Sequence, residues 1–387
     1  MKLLIYYQQD PKIPWIGDKR VVEVLAQGLR KLGVEVLMSD DLDLVGAVDL
    51  VLIYNIYMDL NPLKDFIQLM NKPYVVIPFH EDYLLYSSIF KSFFAYVANA
   101  LLDPSCEDMM EVLYQRPEIL GEIPFEPKKD SIINFEVMKE AKVCLANSHT
   151  EAETIQRYCP PANTKVIYLT AGSLDQKSYD YSDEFIKRFG LTRGDYILQI
   201  GRLEPRKNQL ATILATRNID IPLVFVATSL FDHAKSYAHT CIDAILKFRK
   251  APTIILTHSL EERREGPLKI QKVPGGLTPN LLVSAYQNAG LHCHPAFYEL
   301  PGYTYLEAAK LGVPTIASHW TTIKDYFTDR TTGNYTLDDR IQYCLPYQIP
   351  HLEELIRSHF GKHYAYSNHP IFDRTDLDFA QEFTAIL

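Results

Sequence analysis

Two glutamates, Glu299 and Glu307, stand eight positions apart in "FYELPGYTYLEAAKLGVP", residues 297–314, on either side of Pro301-Gly302. Carboxylates at a loop-to-helix junction accept hydrogen bonds from hydroxyls, and a glycine there lets a ligand approach the backbone closely. A second chemical stretch, "YILQIGRLEPRKNQLATILA", residues 196–215, ends a strand at Gly201, follows it with Arg202 and brings Lys207 to the start of the next helix. Cations at that place oppose an isolated helix, whose N-terminus already carries partial positive charge. An anion reverses the sign, because helix-end amides, an Arg fork and a Lys point charge together cradle a diphosphate. Both stretches also have a plain structural reading. Thr304 and Glu307 have the S/T-x-x-E spacing of a capping box, with Gly312 and Pro314 ending the helix, and Arg202 and Lys207 read equally well as solvated partners of Glu204. Glu299 has no such local role.

The elements around these residues must hold them in a cleft. In the first half, strand-like runs ("KLLIYY", "VEVLM", "DLVLIYNI", "PYVVIPF", "KVCLANS", "KVIYLT") alternate with helical ones such as "RVVEVLAQGLRKLG". The alternation restarts after a polar stretch, with "YILQIG", "PLVFVATS", "TIILTHS" and "LHCHPAF" as the next strands. An α/β chain of two doubly wound Rossmann-like domains follows, and 387 residues suit two such cores. The domains are read as 1–180 and 190–370, with the boundary near residues 176–195 and a helix over 372–387 that packs back on the first. Ligands in such sheets sit at the carboxyl ends of the strands, here in the cleft between the two domains.

Several classes fall away. A formal charge of -9 argues against nucleic acid as a partner, and neither GxGxxG nor GxxxxGK[ST] occurs, which removes the main support for dinucleotide and P-loop sites. Six cysteines without a CxxC pair imply a reducing, cytoplasmic setting. The start, "MKLLIYYQQDPK", reads as a strand rather than a signal peptide. The apolar run at 84–102 contains Lys91 and places Phe90, Phe93, Phe94, Val97 and Leu101 at helical spacing, so it reads as a packed amphipathic helix, with peripheral membrane contact as the alternative and no transmembrane segment. His292 and His294 tempt a metal reading, but strand alternation turns Cys293 away from them, and no metal or other cofactor is expected. Ser148 and Glu151 have the spacing of a further capping box.

"GRLEPRKN", the two glutamates of E-x7-E and "EAAKLGVPTIAS" together resemble the retaining GT-B glycosyltransferases of glycosyltransferase family four. The resemblance implies a nucleotide diphosphate sugar as donor and a transfer without metal. It gives Arg202 and Lys207 the donor diphosphate, Glu299 the donor sugar and Glu307 the nucleotide ribose, with Gly201, Gly302, Tyr303 and Thr304 beside them. "VVIPFHEDY" resembles the family's strand that sets a histidine, here His80, beside the reacting carbon, and "VIYLTAGSLD" resembles the segment that carries Gly172. The acceptor, a glycan, a lipid-linked sugar or a small molecule, would border the loop with Trp15, Gly17, Lys19 and Arg20. The chain departs from the family where Leu300-Pro301-Gly302 replaces Gly-Phe-Gly, since Pro301 offers no amide to the sugar. A GT-B epimerase or phosphorylase and a non-catalytic nucleotide-sugar binder are the alternative readings.

Overall fold

The computed structural model describes residues 1–7, 17–56, 60–80, 83–102, 135–170, 179–227, 234–329 and 331–387. Its first sheet runs β2 (Glu35–Ser39), β1 (Lys2–Tyr6), β3 (Leu50–Tyr54), β4 (Tyr74–Ile77), β5 (Cys144–Ala146) and β6 (Thr164–Val166), every neighbour parallel. These strands are short apolar runs because both faces are covered. Leu3 and Ile5 point to one side, among Val21, Val22 and Leu25 of helix Gly17–Lys31, while Leu4 and Tyr6 point to the other, among Leu63 and Ile67 of helix Asn61–Leu69.

The second sheet runs β10 (Arg263–Glu265), β11 (Leu268–Lys272), β9 (Thr253–Thr257), β8 (Leu223–Val226), β7 (Ile197–Ile200), β12 (Leu291–His294), β13 (Thr315–Ser318) and β14 (Ile341–Cys344). All its pairs are parallel except β10 with β11, an edge hairpin. That hairpin escapes the sequence reading because Arg263, Arg264 and Glu265 are exposed and charged and carry no apolar signal.

Two helices cross between the halves. Helix Tyr83–Leu102 belongs by sequence to the first half, yet Ile89, Phe93, Val97 and Ala100 lie in the core of the second with Leu210, Ile213, Cys241 and Ile245. Phe94 meets the Tyr237 ring at 5.6 Å, and Lys247 Nζ donates to the Ala100 carbonyl at 3.1 Å. Phe93, Phe94, Val97 and Leu101, part of the apolar face on which a membrane contact would rest, are therefore packed against protein, and no helix among the described residues is long and apolar enough to cross a bilayer. In the opposite direction, helix Asp376–Ile386 lays Phe379, Ala380 and Phe383 into the core of the first half. Gly28 makes room for it, since a Cβ there would fall 2.1 Å from the Asp376 carbonyl oxygen.

The halves also meet beside the cleft. Thr150 N donates to Asp325 Oδ2 at 2.7 Å, Tyr326 donates its hydroxyl to the Asn147 carbonyl at 3.0 Å, and Tyr303 packs on the core of the first half.

Candidate active site

From β7 the second sheet grows one way through β8 and β9 and the other way through β12, β13 and β14. The β7/β12 boundary is thus the point at which strand order reverses, the place where sheets of this kind bind ligands at the strands' carboxyl ends. Both chemical stretches leave from it: Gly201 follows β7, and Pro295 to Glu299 follow β12.

The cation-bearing stretch is a rigid turn. Pro205–Lys207 forms a single 3-10 turn, and Asn208, in the left-handed region at φ 57°, redirects the chain into helix Gln209–Ala215. The Asn208 amide donates to the carbonyls of Pro295 at 2.9 Å and Pro346 at 2.7 Å, Gln199 Nε2 donates to the Lys207 carbonyl at 2.8 Å, and Gln209 Nε2 donates to that of Arg202 at 2.7 Å. Phe297 N donates to the Arg206 carbonyl at 2.8 Å, which ties the loop after β12 to the turn after β7. Helix Tyr83–Leu102 braces this assembly, with Phe93 6.0 Å from the Phe297 ring. The expected cradle of helix-end amides is weaker than the sequence suggests. The helix is short and wholly buried, and its Leu210 amide is donated to the Tyr237 hydroxyl at 3.2 Å. The positive charge at this turn is therefore carried by side chains.

Those side chains form one buried cluster. Arg202 sets Nε and Nη2 on the two oxygens of Glu204 at 3.2 and 3.1 Å, and Arg206 Nη2 approaches Glu204 Oε1 at 3.3 Å. Lys207 Nζ contacts Glu299 Oε1, to which Arg206 Nη1 comes within 3.8 Å and His294 Nε2 within 3.4 Å. The pairing of Arg202 with Glu204 that one sequence reading offered is present, but its members are largely buried rather than solvated, and Lys207 takes Glu299 as its close partner. Among the described residues, Arg202, Arg206 and Lys207 thus gather around the carboxylates of Glu204 and Glu299. Burial pushes the Glu299 carboxyl up, yet Lys207, Arg206 and His294 outweigh it and hold it well below the usual carboxylate range. Burial and then Arg206 pull the Lys207 ammonium down, against Glu299 and Glu204.

Gly302 is the N-cap of helix Tyr303–Lys310 at φ 87°, and a Cβ on it would lie 2.7 Å from the Tyr305 ring and 3.1 Å from Glu299 Cβ. The capping box expected of Thr304 and Glu307 does not form. The helix begins at Tyr303, so Thr304 is already inside its first turn, where its carbonyl accepts from Tyr286 Oη at 3.4 Å. Glu307 instead accepts from Tyr286 Oη at 3.0 Å and is buried. Behind the two glutamates runs a line of rings: His294 stacks on His292 at 6.0 Å, and His292 meets Tyr286 at 5.7 Å. Cys293 lies on the opposite face, beside Thr212 at 3.8 Å.

In the first half, His80 is 1% exposed, its ring packed against Phe135 and Tyr158, and burial lowers its pKa to about 4. Its described partners do not include Arg202, Lys207 or Glu299. Ser148 caps helix His149–Tyr158 through Glu151 N at 3.0 Å, but Glu151 does not close a capping box. Its carboxylate accepts instead from the backbone amides of Asn147 and His80, joining the strand ends of β5 and β4. Gly17 and Lys19 lie in the first turn of helix Gly17–Lys31, and Arg20 follows them there. Trp15 and Gly172 lie outside the described residues.

The structure thus brings Gly201, Arg202, Lys207, Glu299 and Gly302 together and adds Glu204, Arg206 and His294. The i, i+2 spacing of Glu204 and Arg206 around Pro205 was visible in the sequence, as was the shared strand face of His292 and His294. The contacts of Arg206 with Tyr298 and of Lys207 with Glu299, each 92 residues away across the sheet, were not.

No protein-family model and no curated protein matches the chain in sequence. Solved structures do match it. Sucrose-phosphate synthase from Thermosynechococcus elongatus superposes with a TM-score of 0.61 at 13% identity, over 100% of this chain and 94% of that one. HepE from Anabaena, in complex with UDP and glucose, gives 0.59 at 15% identity over 100% and 98%. A UDP-forming α,α-trehalose-phosphate synthase from Burkholderia xenovorans gives 0.54 at 10% identity over 95% and 77%. At these identities the likeness is one of fold, and the fold is GT-B, as expected from the sequence.

Proposed function

We propose that the chain is a glycosyltransferase that moves a hexose-type sugar from a nucleotide diphosphate sugar to a hydroxyl acceptor, without a metal and with retention at the anomeric carbon. The observation that carries this reading is the buried cluster of Arg202, Arg206 and Lys207, with Glu204 and Glu299 among them, at the topological switch point. A diphosphate suits three clustered cations, and the demand for them grows as the glycosidic bond breaks and negative charge collects on the leaving oxygen. Arg202 and Lys207 stabilise that charge, Glu299 orients the sugar hydroxyls, and Glu307 holds the ribose. The acceptor hydroxyl attacks from the face the diphosphate leaves; the new C–O bond forms there, and the hydroxyl proton passes to the departing phosphate oxygen. His80 positions the sugar or the acceptor from the first domain, and the loop with Trp15, Gly17 and Lys19 borders the acceptor. Domain closure excludes water.

The test is transfer assayed with UDP-, GDP- and ADP-sugars in chelator, against a panel of glycan, lipid-linked and small acceptors. Lys207→Ala is expected to lose about a hundredfold or more of turnover while remaining folded. Near-normal turnover in that variant overturns the assignment. A thermal-shift screen with the same nucleotides locates the donor site if Glu307→Ala abolishes the shift.

A further inference from the structure

Lys207 has two competing partners under the reading just given. In the structure its ammonium rests on Glu299 Oε1; in the reaction it must face the leaving diphosphate. When the diphosphate draws it away, Glu299 loses its closest cation. Arg206 is already committed to the Tyr298 carbonyl at 3.2 Å and to Glu204 at 3.3 Å, and reaches Glu299 only at 3.8 Å.

His294 is the group that stays. It sits on β12 in the middle of the sheet, 1% exposed, with Nε2 3.4 Å from the same Oε1. Its ring is wedged on several sides. Tyr305 stands edge-on at 5.3 Å and donates its hydroxyl to the His294 carbonyl, and His292 stacks at 6.0 Å. Gly201 lies against it so closely that a Cβ there would fall 3.1 Å from His294 Cε1. The glycine that precedes Arg202 therefore also seats this imidazole. His294 Nδ1 has no hydrogen-bond partner among the described residues, and an unpaired buried N–H costs more than an unpaired lone pair, which places the proton on Nε2.

We propose that His294 is the positioning residue for Glu299: it donates Nε2–H to Oε1 and holds the carboxylate when the diphosphate recruits Lys207, leaving Oε2 for a hydroxyl of the donor sugar. No protein partner is described for Oε2. A neutral donor suits the task, because a further cation beside Lys207 and Arg206 would compete for the diphosphate. The charged groups facing the ring are Lys207, Arg206 and Glu299, and the titratable neutral ones are His292 and Tyr305. Burial lowers the His294 pKa against the pull of Glu299, which agrees with an uncharged ring.

This inference rests on the donor reading, so its test has one arm that needs no donor. In histidine-labelled protein without ligand at neutral pH, nitrogen NMR is expected to show a histidine in the Nε2–H tautomer that is missing from His294→Leu and shifted in Glu299→Gln. An Nδ1–H tautomer or an imidazolium at this position overturns the proposal whatever the protein transfers. In the second arm calorimetry compares UDP with UDP-glucose. His294→Leu is expected to weaken UDP-glucose roughly tenfold while UDP changes by less than about twofold, and His294→Gln, whose amide can reach the Nε2 position, restores most of the loss. Equal weakening of both ligands, or unchanged UDP-glucose binding, overturns it. If the wild type binds neither, the donor reading fails in its UDP form, and the tautomer still decides the role of His294.

Discussion

The two sheets each keep a buried carboxylate beside their strands' carboxyl ends and hold it in different ways. In the first, Glu151 is fully buried, and its carboxylate accepts from the backbone amides of Asn147 and His80, groups that cannot leave; these are its hydrogen bonds to main chain among the described residues. In the second, Glu299 is answered by the tips of Lys207, Arg206 and His294. A main-chain amide that holds a carboxylate acts as scaffold, because no ligand can draw it away. A carboxylate met by the tip of a lysine is poised for exchange, since an incoming anion can draw the ammonium away without unfolding a loop.

The contrast is broken or sharpened by four measurements. Glu151→Ala leaves two buried amides unpaired and is expected to cost about 3 kcal/mol in urea denaturation, with nucleotide binding by the folded fraction unchanged. Glu299→Gln reverses the pattern: about a hundredfold is lost in transfer, while less stability is lost than in Glu151→Ala. Equal destabilisation by both would end the distinction. Gly302→Ala, which forces a side chain into the left-handed region and against Tyr305, should cost about 2 kcal/mol by thermal unfolding and lower transfer with it.

The pH dependence is the smallest effect and spans both regions. His80, His292 and His294 all have pKa values lowered by burial, so the unfolded chain binds their protons more readily than the folded one. Stability is then complete above the unfolded value of about 6.5 and falls as pH drops below it, by up to about 1.4 kcal/mol per unit for each histidine. Melting temperatures taken from neutral to mildly acidic pH check this. His80→Leu should flatten the slope and leave the response of the second site intact.

Much of the fold was legible because parallel strands buried on both faces must be apolar, as "LVLIY" and "LVFV" are. The β10–β11 hairpin was hidden by its charge, and β6 pairs only over Thr164–Val166, short of the apolar run "KVIYLT". At the site, residue types and spacing marked Arg202, Lys207, Glu299 and Glu307. The role of Arg206 as a clamp on Tyr298 and the seating of His294 against Gly201 are facts of packing across the sheet, beyond any local pattern. The capping box failed for the converse reason: its spacing was right, but Gly302 begins the helix early and Tyr286 claims Glu307.

Each half wears a helix made by the other, Tyr83–Leu102 on the second and Asp376–Ile386 on the first. The chain therefore cannot be cut into two self-sufficient pieces, although each sheet is complete in itself. A fragment starting near residue 190 would expose the strip that Ile89, Phe93, Val97 and Ala100 cover, and one ending near residue 180 would lack Phe379 and Phe383. During synthesis the first sheet must wait, one flank bare, until residues 376–386 have left the ribosome, so the half translated first is not the half that can finish first.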